Sequence, residues 1–282
     1  MADRTTTLYW ITTGLLAVYI LMTFYSVVAL LAPIPLTPPL TPFLTLIAFT
    51  FAVLHAGQCW GWWQAGLLVG FCFVISLLFE SIGVATGLVY GPYHYTHSLG
   101  PKFLDLVPFL IPLAWFIMMY PSLVIARTLS GVRGVNEYAG FFPFLGIAAL
   151  GGLVMTSWDL VMDPLMVKAG HWVWDGAAVT RPYFGVPLQN YGGWWLTTFV
   201  TYGLFFGALS LFHSKAPVSP GQTHPEFDRL AIGSYMVTGL GTVFTAFIIG
   251  QDGPALVGLF AMLPWAILAW QRLAAIKPSI KI

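Results

Sequence analysis

Two aspartates, Asp159 and Asp163, stand four residues apart in the stretch MTSWDLVMDPL, residues 155–165, at the end of a long apolar run. On a helix that spacing puts both carboxyls on one face, about one turn apart. Acids inside an apolar span are costly to bury and point to a functional site by default. Two carboxyls in one water-poor pocket repel each other and are poorly solvated, so one of them is expected to keep its proton at neutral pH. The pair is a candidate proton donor, with either aspartate as the acid and the other polarising it. The competing reading is structural: the carboxyls bind helix N-termini, arginines or tryptophan indoles and only fix the fold. Pro164 is expected to end or kink the helix directly after the pair.

Further groups able to do chemistry lie nearby in the chain. Glu80 ends an apolar run, His94 belongs to YHYTH and His171 opens HWVWD. Glu80, His94 or His171 could orient a water molecule and take its proton; Glu80 reads equally well as a hydrogen-bond partner for a neighbouring helix. Trp158, Tyr93, Trp172 and Trp174 are candidates for an aromatic cage, which attracts a desolvated cation by ~2 kcal/mol or more. Tyr183 and Asn190 complete the expected substrate contacts, although Asn190 and Arg181 read equally as residues that fix loops. Tryptophan and tyrosine also line membrane interfaces in general, but here they are interleaved with acids and histidines. A proton donor beside an aromatic cage suits the making and holding of a carbocation.

Three histidines, His94, His97 and His171, with nearby acids could bind a metal. The chain lacks HExxH and the repeated HxxxH and HxxHH boxes of membrane di-iron enzymes, so no metal is expected. Asp159 and Asp163 also have the DxxxD spacing with which membrane prenyltransferases hold magnesium and a diphosphate. The second acidic motif and the basic partners of such enzymes are missing. A non-enzymatic reading, a pigment-binding or transport protein, needs the same aromatics and few charges.

The elements that must position these groups are membrane helices. Of 282 residues, 58% are hydrophobic and only 7% charged, and the mean hydropathy is +0.83, far from the balance of soluble domains. A net charge of +1 and the lack of a basic cluster exclude a nucleic-acid footprint. Cys59 and Cys72 have neither metal-ligand nor disulfide spacing and read as packing residues. Apolar runs long enough to span, roughly 20 residues, recur at 8–31, 42–58, 61–80, 106–129, 138–160, 193–213, 229–249 and 253–272. The first is longer than the apolar region of a signal peptide and reads as a retained helix. The expected fold is therefore an all-α integral membrane protein, a polytopic bundle of about eight transmembrane helices in one domain over residues 1–282.

Loop charges orient the bundle. Arg4, Arg127, Arg133, Lys215, Arg229, Arg272, Lys277 and Lys281 fall on the terminal segments and even-numbered loops, against Lys102, Lys168 and Arg181 on the odd-numbered ones. Both termini are expected on the cytoplasmic side of a cell membrane. The acids gather at the other face, where two long Gly- and Pro-containing connections, 80–105 and 159–193, emerge together as two functional outer loops. They are expected to form fixed turns or re-entrant segments over one site.

The runs FESIGVATGLVYGPYHYTHSLGPKFLDLVPFLIPLAW, TSWDLVMDPLMVKAGHWVWDG and YFGVPLQNYGGWW resemble the integral-membrane carotenoid biosynthesis family that contains the carotenoid 1,2-hydratases, of the gamma-carotene hydratase and bisanhydrobacterioruberin hydratase type. The resemblance is densest over residues 79–195. It implies addition of water across the terminal double bond of an acyclic or monocyclic carotenoid, giving a 1-hydroxy carotenoid. It also implies no organic cofactor, a carotenoid substrate reached from membrane lipid, and other carotenoid biosynthesis enzymes as potential partners. It carries no established catalytic residues, so the roles given above rest on the chemistry alone.

Overall fold

The computed structural model describes residues 2–32, 40–132, 141–175, 182–212 and 225–275. Arg181 lies outside the described residues. Eight helices among them are long and apolar enough to cross a membrane: α1 (Ala2–Leu31), α2 (Leu40–Trp60), α3 (Trp62–Thr86), α4 (Leu110–Ser130), α5 (Phe141–Lys168), α6 (Leu188–Phe212), α7 (Pro225–Ile248) and α8 (Asp252–Ala274). The protein is an all-α integral membrane bundle. Helices suit this chain because a bilayer offers the backbone no other partner, and a helix satisfies its own peptide groups.

α4 is the hub, packed against α2, α3, α5, α7 and α8 and buried without interruption from Trp115 to Arg127. α1 is peripheral and touches chiefly α2 and α7. The α3–α4 and α5–α6 connections lie at one end of the bundle, as the spacing of the apolar runs requires.

At that end the two long connections are neither bare turns nor re-entrant helices. They pair with each other as a short antiparallel ribbon, β1 (Tyr93–Tyr95) against β4 (Trp172–Trp174), in the register Tyr93 to Trp174, His94 to Val173 and Tyr95 to Trp172. Strand side chains alternate between faces, so the four aromatics turn inward while His94 and Val173 face outward. The inward rings make cross-strand pairs, with centroids 4.9 Å apart for Tyr93–Trp174 and 5.7 Å for Tyr95–Trp172. Two smaller ribbons, β2 (Lys102–Phe103) with β3 (Val107–Pro108) and β5 (Pro182–Tyr183) with β6 (Val186–Pro187), complete the two loops.

Helix ends here follow local chemistry. α3 does not stop at Glu80 but runs to Thr86, where Gly87 adopts the left-handed conformation, φ 71°, and donates its N–H to the Gly83 carbonyl. α5 does not end at Pro164; it continues to Lys168. Proline removes one helical N–H and leaves the carbonyl four residues earlier without its partner. That carbonyl is Leu160, and the Tyr183 phenol donates to it at 3.0 Å. Tyr183 thus repairs the break made by Pro164 and ties the second loop to α5.

Tyr90 closes the seam between α3 and α6. Its hydroxyl bonds Thr197 at 2.8 Å, and its ring fills space left by Gly83 and Gly193, where an added Cβ would come within 2.7 Å and 2.5 Å of ring carbons. Gln189 then joins the start of α6 to the end of α3 by donating to the Gly87 and Leu88 carbonyls. Gly193→Ala is expected to push Tyr90 from this seam and lower stability by ~1–3 kcal/mol, seen as a lower unfolding midpoint in detergent. Tyr183→Phe, which orphans the Leu160 carbonyl, should cost about 1–2 kcal/mol in the same assay.

Candidate active site

A cavity of about 530 Å³ lies below the ribbon, walled by Tyr93, Tyr95, Trp172 and Trp174 at the loop end and by α1, α2, α4, α5 and α7 along its length. Its lining is mostly apolar, and its carboxyl groups stand at two points. One is Glu80, and the other is Asp163 with Asn190.

Asp159 and Asp163 are fully buried on the face of α5 that meets the first turn of α6, at 0% and 1% exposure. The Asn190 side-chain amide, itself 2% exposed, donates to both, reaching Asp159 Oδ2 at 3.0 Å and Asp163 Oδ2. Asp163 Oδ1 accepts the Trp172 indole N–H at 2.7 Å. Asp163 is therefore satisfied on both oxygens and lines the cavity, whereas Asp159 sits behind it with Oδ1 buried and unpartnered among the described residues. A carboxylate accepts on every oxygen, whereas a carboxylic acid carries one O–H. Asp159 Oδ1 is thus the one aspartate oxygen without an N–H donor among the described residues, and Asp163 is the carboxyl that faces the cavity.

Glu80 is also buried, and three donors converge on it. The Tyr93 and Tyr95 hydroxyls both donate to Oε2, and the Trp115 indole N–H donates to Oε1 at 2.9 Å. Three donors thus meet the two acceptor oxygens of this carboxyl. Burial and the adjacent Glu80 carboxylate push the Tyr93 and Tyr95 phenols well above their ordinary range, which keeps them as donors. Trp115 stacks on Trp194, centroids 4.0 Å apart, and Trp194 meets Trp158 edge-on at 6.0 Å. The cavity therefore has aromatic faces on several sides between two carboxyl groups.

Of the residues singled out in the sequence, Glu80, Asp163, Tyr93, Trp158, Trp172, Trp174 and Asn190 line this cavity. Asn190 does more than fix a loop, since it bridges the acids. Tyr183 does not line the cavity and serves Leu160 instead. His94 is on the outward face of the ribbon, its side chain 59% exposed and its Nδ1 3.6 Å from Asp175. His171 bonds Ser98 Oγ through Nδ1 at 2.8 Å, and partial burial lowers its pKa. Neither histidine lines the cavity, so neither is placed to orient a water there. Trp115 carried no signal in the sequence beyond its place in an apolar helix, and the pairing of Tyr95 with Glu80 required the fold.

The donor set does not favour a metal. Three of the four aspartate oxygens already accept N–H donors, no lysine or arginine lines the cavity, and no group of three or more metal-ligating side chains occurs among the described residues.

A polytopic helical bundle with a buried acid pair beside an aromatic, largely apolar cavity is the architecture of this membrane protein. The chain belongs to the carotenoid biosynthesis protein family, whose model matches residues 40–264. A relative in Haloarcula japonica, bisanhydrobacterioruberin hydratase, is 32% identical over 142 residues, which cover 50% of this chain and 45% of that protein. No solved structure matches the chain.

The Trp172 to Asp163 hydrogen bond is open to direct measurement. A double-mutant cycle with Trp172→Phe and Asp163→Asn is expected to give a coupling of about 1.5–3 kcal/mol in unfolding free energy, the range for hydrogen bonds to charged groups.

Proposed function

We propose that the protein is a carotenoid hydratase that adds water across the terminal double bond of an acyclic or monocyclic carotenoid end, giving a tertiary alcohol at carbon 1. The observation that carries this reading is the Asn190-bridged acid pair, with Asp163 facing an aromatic cavity large enough for a terpenoid end group. Family membership and the Haloarcula relative support it.

The chemistry follows from the groups in place. An unactivated trisubstituted alkene is a weak base, so its hydration needs a strong acid held out of water. Asp163 gives a proton to carbon 2, and the alkene π pair forms the new C–H bond. Asp159 and Asn190 hold the proton on the pair until that moment. The tertiary cation left at carbon 1 faces the rings of Trp172, Trp174 and Trp158, and the ionised Glu80 balances its charge. A water oxygen bonds to carbon 1, and the oxonium then returns one proton to the emptied carboxylate. The pair ends as it began, and the net change is alkene plus water to alcohol. No cofactor takes part in these steps.

The prenyltransferase reading is weaker, because among the described residues a diphosphate would meet no basic side chain on the cavity wall. A pigment-binding protein would use the same cavity without turnover.

Expression in a host that makes lycopene or gamma-carotene, followed by mass spectrometry, tests the reading: the expected product is heavier by one water. Asp163→Asn and Asp159→Asn should each abolish it while the protein still inserts and binds pigment. Glu80→Gln should lower the rate by roughly 10²–10⁴-fold, the scale of a positioned catalytic group, and His94→Ala should leave it near the starting value. Unchanged carotenoid recovered with a well-folded wild-type protein would instead assign the cavity to binding alone.

A further inference from the structure

The part of the cavity wall made by α1 and α7 is not hydrocarbon. Tyr19, Thr23 and Ser26 of α1 and Thr238, Thr242 and Thr245 of α7 all line it, and each set recurs at helical spacing on one face. Most of their protons are already committed. Ser26 donates to the Thr23 carbonyl at 2.7 Å, Thr238 to Ser234 at 2.9 Å and Thr242 to Thr238 at 2.8 Å. Tyr19 bonds Thr238 Oγ1 at 2.8 Å, and because the Thr238 proton is spent, Tyr19 is the donor. What these groups leave for the cavity is oxygen lone pairs.

A hydrocarbon ligand leaves these lone pairs without a donor, whereas a small O–H group can supply one. The wall is also joined to the acid side, since Trp158, next to Asp159 in the chain, donates its indole N–H to Thr242 at 3.1 Å.

We infer that the α1–α7 hydroxyl wall is the nucleophile subsite, which holds the water that captures the cation. This rests on the hydratase reading above. A water that gives its hydrogens to lone-pair acceptors on the wall turns its own lone pair toward the cavity, which is the orientation needed to bond carbon 1. The step balances as follows: the water oxygen supplies both electrons of the new C–O bond, the cation is neutralised, and the oxonium proton goes to the carboxylate that protonated carbon 2. Without a held water, the cation loses a proton from carbon 2 or an adjacent carbon and reverts to an alkene.

That competition gives the test. Wild type, Thr23→Val, Thr242→Val and Ser26→Ala are assayed on lycopene in deuterated water, and both the alcohol and the deuterium in recovered unhydrated carotenoid are measured. Wild type should yield alcohol with little deuterium in the remaining alkene. The Thr23 and Thr242 variants should form alcohol about tenfold more slowly, the scale of one hydrogen bond lost in the transition state, while deuterium in the recovered alkene rises. Thr→Ser at the same positions, which keeps the hydroxyl, should restore the wild-type ratio. Ser26→Ala, on a half-buried residue, carries the same expectation should either valine variant fail to fold. Alcohol formation at the wild-type rate with no added deuterium in the variants overturns the subsite but leaves the hydratase. A wild type that forms no alcohol and exchanges no deuterium overturns the hydratase reading itself.

Discussion

Everything at the loop end of this bundle depends on one amide. Burying two carboxyls against each other is unfavourable twice over, through lost hydration and through repulsion. Asn190 offsets both by giving one N–H to each aspartate, and a neutral donor can do this without adding a third charge. The amide must then sit at the first turn of α6, facing the last third of α5. The rest of the end is arranged to keep it there: Gln189 pins that turn to α3, and Tyr90 fills the seam left by Gly83 and Gly193. α5 continues through Pro164 to Lys168, and Tyr183 covers the carbonyl that the proline frees.

The second carboxyl follows a different rule. Among the described residues Glu80 has no ion-pair partner and no amide bridge; it is held by two phenols and an indole that come from the ribbon and from α4. One cavity thus holds two differently held acids, a pair bridged by an amide and a single carboxyl met by two phenols and an indole.

Much of this was legible in the sequence, and the reason differs by residue. Eight spans follow from apolar run length alone, and all eight are present. The i,i+4 aspartates and their common face follow from helical geometry, and the gathering of both long loops at one end follows from counting crossings. His94 departs from its expected place at the cavity because YHY forms a strand, whose alternation sends Tyr93 and Tyr95 inward and His94 outward. The ribbon itself could not be read, since it pairs residues nearly eighty positions apart. Trp115 was hidden for a similar reason: within an apolar helix, only the position of α3 distinguishes a packing tryptophan from one that bonds a carboxylate.

The β1–β4 pairing has one more consequence. Because it ties the two loops edge to edge and turns four aromatic side chains downward, the cavity has a floor at its loop end. On the proposed function, a rigid rod entering from between the helices would be stopped there with only its tip beside Glu80 and Asp163. Such a pocket would act as a depth gauge, sensitive to how a long molecule terminates and indifferent to what it carries at its far end.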